Sequence, residues 1–569
     1  VKIFNAEHIP AAQKVLQRIA LIAAVFIFVI SAFFILNYIQ LKANPPLKSP
    51  ALEKLYVQLD ADPNNAELRE QIRALDLLAR KAYFTRQWQV NFGGYMLLAA
   101  LVILLLAIKS ISSMTIKYPE LPKTTGTSWE VRLMTQKWVG LAGIILLVSV
   151  SALALLTRRE MKTAAFAQPP APPAAVVDFK IPEAADIESN WPCFRGPWGL
   201  GIAHYDNVPQ RWDGASGENI IWKSPIPAPG FNSPIYWNGK IFTSGADATI
   251  RKVYCYDAQT GNLLWQRDVT SIPGSPTESI KVADDTGYAA PTMTTDGNFV
   301  FAIFANGDLV CFDFNGNTVW ANNLGAPDNH YGHSSSLIIH RDLLLIQYDH
   351  SAQAGLLLAL RANTGEQVWE APREMGLSWS SPILVNTGSR WEVILSANPN
   401  VISYNPETGE ELWRVECLGG EVGSSPVYAD GFVYAANDGA KLAAIKLGAT
   451  PEIVWEFNDD LPDAASLLAT KDYVFVPTSY GAMSCLDAKS GEKYWLHDFD
   501  SGFYASPVLV GDNVYIMDMD GVMQIFKADK EFTLVSSASL GEAATTIPVV
   551  MDNRLYIRGS ENLYCIGEK

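Results

Sequence analysis

Residues 328–333, Asp-Asn-His-Tyr-Gly-His, set His330 and His333 three positions apart, and His350 follows them in the chain. A His-x-x-His pair can ligate zinc when a helix aligns both rings and a third ligand is supplied. Here the surrounding Asp, Asn and Gly predict a loop, so hydrogen bonding within that loop is the expected role. Asp518-x-Asp520-Gly521 opens like a calcium loop but lacks the later glutamate that would complete it, and a hairpin turn is expected instead. The six cysteines Cys193, Cys255, Cys311, Cys417, Cys485 and Cys565 include no CxxC and no adjacent pair, which leaves zinc ribbons, haem attachment and dithiol chemistry unsupported. No Ser-His-Asp order, phosphate-cradling glycine loop or paired carboxylates stands out. No catalytic residue and no metal ligand is assigned.

The elements that must position these residues are repeats. From residue 222 onward each unit opens on small residues, runs through three strands with glycine turns, and closes on a pattern of the Thr-Gly-x-x-x-Trp kind. Openings fall at Ser233-Pro234, Ala290-Pro291, Ser335-Ser336, Ser381-Pro382, Ser425-Pro426, Ser466-Leu467, Ser506-Pro507 and Ile547-Pro548. Closing tryptophans are Trp222, Trp265, Trp320, Trp369, Trp413, Trp455 and Trp495, with Leu534-Val535 in the remaining slot. Trp222 closes a unit that has not yet opened, and the last unit runs out of chain near Cys565. A strand around residues 219–223 that completes the last sheet leaves no sheet edge unpaired. Residues 191–569 therefore predict an all-β, eight-bladed propeller. Cys255, Cys311, Cys485 and Cys565 share one repeat position with alanine and are expected to be small apolar fillers.

In such a fold the innermost strands line the central axis. Counting three residues back from each opening proline position gives a rim of Phe231, Tyr288, His333, Trp379, Gly423, Ala464, Tyr504 and Thr545. Four aromatic rings and an imidazole on one rim suit a planar small molecule or a loop of a partner, because rigid aromatics offer contact area at low entropic cost. The alternative is that they close the axis against water. The binding candidates are Phe231, Tyr288, His333, Trp379 and Tyr504.

Before the repeats, Ile19–Leu36, Val90–Ile108 and Trp138–Leu156 are apolar runs long enough to span a bilayer. They predict a membrane module over residues 1–160 with helices at about 16–38, 89–109 and 138–157. The first is expected to persist as an anchor rather than a cleaved signal. Between the first two, Leu68, Ile72, Leu75, Ala79 and Ala82 form one apolar stripe, which predicts a helical hairpin over about 50–87. Residues 161–190, rich in Ala and Pro, read as an extended linker.

The net charge of −16 conceals a division: +9 over residues 1–180 and −25 over the remainder. An acidic propeller repels phosphate backbones, which excludes nucleic acid as its partner. Its protein partners should present neutral or basic surfaces.

The Asp-Ala-x-Thr-Gly-x-x-x-Trp pattern, with Trp191-Pro192-Cys193-Phe194-Arg195-Gly196-Pro197 as lead-in, resembles the pyrroloquinoline-quinone-like (PQQ-like) β-propeller repeat family. That family includes quinoprotein alcohol dehydrogenases and the propeller lipoprotein of the bacterial outer-membrane assembly machinery. The lead-in is expected to cap one end of the propeller. The dehydrogenases of the family use a vicinal disulfide, a calcium ion and a catalytic Asp on inserted loops. This chain has no adjacent cysteines and little room for such insertions, so no cofactor is expected, with PQQ and calcium as the alternative. The resemblance implies a periplasmic propeller on a bacterial inner membrane, although the distribution of Lys and Arg around the apolar runs mildly opposes that orientation. The expected role is a non-catalytic interaction or structural subunit of a larger membrane complex, in contact with other membrane subunits and the bilayer, the complex being a redox one as one option. The alternatives are a quinoprotein-type dehydrogenase, an envelope-assembly scaffold and a ligand sensor.

Overall fold

A computed structural model describes residues 180–568, apart from 352 and 353, and a few helical turns between 17 and 109. The expected membrane helices and the hairpin at 50–87 fall largely outside the described residues. Those described in the first two runs, such as 20–27 and 107–109, are helical. Among the described residues no helix is long and apolar enough to cross a membrane.

From Ile220 onward the described chain forms eight four-stranded antiparallel sheets. In the first blade, β2 (Ile235–Trp237), β3 (Lys240–Ala246), β4 (Arg251–Asp257) and β5 (Leu263–Asp268) pair in chain order. The same order repeats through β6–β29, which span Thr294 to Ser539. The eighth blade takes β30 (Val549–Met551), β31 (Arg554–Arg558) and β32 (Asn562–Ile566) from the end of the chain and β1 (Ile220–Pro225) from before the first blade. β1 and β32 run antiparallel, with Ile220 opposite Ile566 and Pro225 opposite Asn562. This is the closure that the offset between openings and tryptophans predicts, and it pairs the edge that an open array would expose.

Within a blade, each closing tryptophan faces a small residue on the neighbouring strand. Cys255 pairs with Trp265, Cys311 with Trp320, Cys485 with Trp495 and Cys565 with Trp222. Ala359, Ser403 and Ala444 fill the same place opposite Trp369, Trp413 and Trp455. All six cysteines are buried free thiols, and burial pushes those of Cys193 and Cys255 up to about 12. A thiol so raised is not a nucleophile at neutral pH.

Between blades, the indole of one blade lies over the glycine turn of the next. Trp222 Nε1 donates to the Ala258 carbonyl at 3.1 Å, and the matching bonds of Trp265, Trp320, Trp455 and Trp495 end on Phe314, Ala362, Ala488 and Asp529. Trp413 is an exception. The next blade carries Lys446-Leu447-Gly448-Ala449 where Asp257-Ala258-Gln259-Thr260 and Asp487-Ala488-Lys489-Ser490 stand in others, and the indole turns instead to the buried Glu392 Oε2 at 2.7 Å.

The lead-in segment closes one end of the axis, as the sequence predicts. Trp191 bridges to Tyr236 in the first blade, and Pro192 accepts from Thr295 N at 3.0 Å in the second. Trp198 packs on Trp391 in the fourth, with centroids 5.8 Å apart, and Leu509 N in the seventh donates to Gly201 at 2.9 Å. Ahead of it, the end of the expected linker is not extended: α1 (Ala184–Glu188) is a short helix, and Asn298 Nδ2 donates to the Lys180 carbonyl at 2.8 Å.

Candidate functional site

In an up-and-down blade the connections to the next blade and the second hairpins lie at one end, which forms the mouth of the axis opposite the lead-in cap. A circle of hydrogen bonds sets its register. Ser233 N donates to Thr292 Oγ1, Thr292 N to Ser336 Oγ, Ser336 N to Ser381 Oγ and Ser381 N to Ser425 Oγ, at 2.8–3.1 Å. Ser425 N continues to Ser466 Oγ, Ser466 N to Ser506 Oγ, and Ile547 N returns to Ser233 Oγ. Each blade is thus tied to its neighbour at the axis, except from Ser506 to Ile547, where isoleucine supplies no hydroxyl.

The circle moves two openings. The equivalents of Ser233 are Thr292 and Ser336, two residues beyond Ala290 and one beyond Ser335, and every first strand begins two residues after its circle member. Pro291 imitates the opening proline at the wrong offset. The rim position three before each proline equivalent is therefore Phe231, Ala290, Ser334, Trp379, Gly423, Ala464, Tyr504 and Thr545, and Tyr288 and His333 lie off it.

The candidates separate accordingly. Phe231 is exposed at the mouth, where the position of a Cβ on Gly287 would be 3.2 Å from its ring. Tyr288 turns aside: its hydroxyl donates to Ile280 O at 3.0 Å, and it lines a cleft of about 340 Å³ with Thr249, Arg251, Glu278 and Asn306. His333 is buried against Tyr348, its Nε2 has no partner, and burial lowers it to about 4, so the ring is neutral at pH 7. Among the described residues no three His, Cys, Asp or Glu side chains converge on a point. Asp518 does the work of a turn residue, with Oδ1 accepting from Asp520 N and Val522 N.

Trp379 packs on Tyr331, a residue outside the rim count, and the Tyr504 phenol acts electrostatically on the Tyr331 phenol. The ring of Tyr331 lies 4.1 Å from that of Trp379 and 3.8 Å from that of His330, and its hydroxyl donates to Glu421 Oε2 at 3.0 Å. Tyr331 belongs to the 14-residue connection 324–337, which packs on the 25-residue connection 269–293 through Ala283 N donating to His330 O at 2.9 Å. The other six connections have nine or ten residues. Tyr331 thus reaches across the mouth from the second blade to the fifth. Gly423 makes room: a Cβ there would lie 2.4 Å from Trp379 Nε1. Unequal connection length was the available signal in the sequence for Tyr331.

The mouth is also electronegative. The eight inter-blade connections hold eleven carboxylates against one basic residue, Lys281. Burial, then the contact with Glu421, and then the charge of Asp285 raise the Tyr331 phenol to about 12. Tyr504 is raised by burial and by Asp285 and Asp463. Aromatic faces amid carboxylates attract a cation carried on an apolar or flat body. Beneath Trp379 the wall is a buried polar cluster. Arg373 Nη1 donates to Asp349 Oδ1 at 2.8 Å, and Gln347 Nε2 donates to Asp349, Ser378 and Ser380.

Residues 210–353, 353–471 and 464–531, more than half of the chain, match the family model described as outer membrane protein assembly factor BamB. A quinoprotein ethanol dehydrogenase of Pseudomonas putida is 40% identical over 60 residues, 10% of each chain, so the match spans about a tenth of that relative's length. The quinohemoprotein alcohol dehydrogenase of Comamonas testosteroni superposes with a TM-score of 0.52 at 12% identity, over 68% of this chain and 84% of its own. BamB of Moraxella catarrhalis superposes with a TM-score of 0.45 at 17% identity, over 61% of this chain and 99% of its own.

Proposed function

This chain belongs to the PQQ-like propeller family of the outer membrane protein assembly factor BamB, and from that premise we propose that it is an interaction subunit of a larger bacterial membrane assembly. Its N-terminal apolar runs anchor it in the inner membrane and its propeller stands in the periplasm, where the mouth receives a basic segment of a partner protein. The observation that carries this reading is the mouth: Trp379 and Tyr331 pack together, Tyr504 shares their rim, and Glu421, Asp285 and Asp463 act on the two phenols. Rigid aromatics provide contact area, and the surrounding carboxylates select for positive charge and speed encounter at low salt.

The test uses the full chain extracted in mild detergent from membranes in which it is naturally made. A photoreactive residue in place of Tyr504 should cross-link to a co-extracted subunit, and one in place of the exposed Leu264 at the blade periphery should not. Trp379→Ala should abolish the Tyr504 cross-link. A chain that emerges alone and monodisperse would overturn the reading.

A quinone-dependent dehydrogenase is the second reading, supported by the 60-residue match to the ethanol dehydrogenase. The residues do not fit that chemistry well: the six cysteines are free and scattered, and no three acidic or imidazole side chains converge among the described residues. Quinone absorbance in the purified protein, together with a requirement for Ca²⁺, would establish it.

A further inference from the structure

At the closed end of the axis, Arg195 is completely buried. Its Nη2 donates to Leu467 O at 2.6 Å and to Leu200 O at 3.4 Å, while Nε and Nη1, with three hydrogens between them, have no partner. No carboxylate neutralises it among the described residues, and burial alone lowers it to about 9, so it stays charged at pH 7. Its backbone is held at φ 63° within the lead-in, and Gly201 closes over the side chain, with its Cβ position 2.9 Å from Nη2.

The carbonyls that face this cation and the lead-in belong to residues that directly follow members of the hydroxyl circle. Leu467 directly follows Ser466, and the carbonyls of Pro382 and Pro507, which follow Ser381 and Ser506, also face the lead-in at Gly199 and Gly201. The seven hydroxyls, from Ser233 and Thr292 round to Ser506, are all buried, and each accepts one N–H from a neighbouring blade. None of them donates its own hydrogen to an acceptor among the described residues. The lead-in therefore buries a cation whose three remaining N–H hydrogens have no acceptor among the described residues. Water could satisfy these donors but would leave the charge uncompensated, and an uncompensated buried charge is strongly unfavourable.

We propose that the free Nε and Nη1 of Arg195 bind a small inorganic monovalent anion of halide type at the closed end of the axis. One guanidinium calls for one negative charge, and a completely buried side chain favours a small ion over a bulky one. The proposal is independent of what binds at the mouth.

The test is thermal unfolding of the detergent-solubilised full chain, with sodium chloride exchanged for sodium gluconate at constant ionic strength. The propeller transition should rise by roughly 2 °C for each tenfold increase in chloride above the dissociation constant. Crystals grown in bromide should show an anomalous peak within hydrogen-bonding distance of Arg195 Nε or Nη1. Arg195→Gln should abolish the chloride dependence. As a second variant, Arg195→Lys keeps the charge with fewer N–H donors and should move the onset to higher chloride. Equal transitions in chloride and gluconate, or water without bromide at the site, would overturn the proposal.

Discussion

The indole of Trp369 occupies the space that a side chain on Gly409 would need: a Cβ there would lie 2.4 Å from Trp369 Cε3. The same relation joins Trp222 to Gly261, Trp265 to Gly316, Trp320 to Gly365 and Trp455 to Gly491, all with positive φ at the glycine. The repeat pattern Thr-Gly-x-x-x-Trp therefore encodes contacts between successive blades as well as a turn. Gly409→Ala should destabilise the propeller by about 2–4 kcal/mol, combining left-handed strain with overpacking. Gly431→Ala, at φ +84° with open space around it, should cost only about 1–2 kcal/mol. Guanidinium unfolding of both variants checks the difference; equal losses would mean that the indole contact contributes nothing.

The closure predicts a local weakness. Trp222→Ala removes the bond to Ala258 and the cover over Gly261, the link between the eighth blade and the first. We expect a loss of about 2–3 kcal/mol, and amide exchange should accelerate first at residues 562–566. Uniform acceleration across all blades would contradict this.

Two buried groups give opposite pH dependence in one window. Asp296 is raised by burial from 3.8 to about 6; its Oδ1 accepts from Asn298 N and Phe299 N, while Oδ2 has no partner. Below pH 6 the folded state holds this proton more tightly than the unfolded state, so the Asp296 contribution to stability falls as pH rises from about 4 to 6. His333 is lowered from 6.5 to about 4, so its contribution falls as pH drops from about 6.5 to 4. Asp296→Asn should therefore steepen the loss of stability on acidification, and raise stability at pH 7 by about 1–2 kcal/mol. His333→Phe should flatten that loss. Denaturant midpoints between pH 4 and 7 test both signs.

At the mouth, Asp285→Asn together with Asp463→Asn should lower the Tyr504 phenol, because both carboxylates raise it. Glu421→Gln should likewise lower Tyr331 from its value of about 12. Ultraviolet titration of tyrosinate, with Tyr504→Phe and Tyr331→Phe to assign the signals, measures both. Unmoved titrations would show that the carboxylates and phenols do not share one field, and the electrostatic basis of the mouth would be lost.

Much of this molecule can be read from its repeats. Eight blades, the closing strand and the packing role of Cys255, Cys311, Cys485 and Cys565 follow from periodicity, because each repeat needs the same small residue opposite the same indole. The mouth was less legible. Trp379 and Tyr504 stand where the count puts them, but Pro291 displaces the second opening and the serine run 334–336 the third, so Tyr288 and His333 leave the rim. Tyr331 lies in a loop whose reach depends on packing against a second loop, and no period describes such a contact. The unpaired N–H groups of Arg195 were equally invisible, since the sequence does not tell which carbonyls will meet a guanidinium.

The pairing of β1 with β32 makes the two ends of the propeller mechanically unequal. Ile220 and Ile566 stand at the same end of an antiparallel pair, so tension on the C-terminal residue would break its hydrogen bonds one after another, from Ile566 towards Asn562. Tension from the N-terminal side reaches β1 only after the lead-in has been stripped from the first, second, fourth, sixth and seventh blades. A load applied from the side of residue 180 therefore meets a strap sewn to five blades, whereas a load beyond Ile566 peels β32.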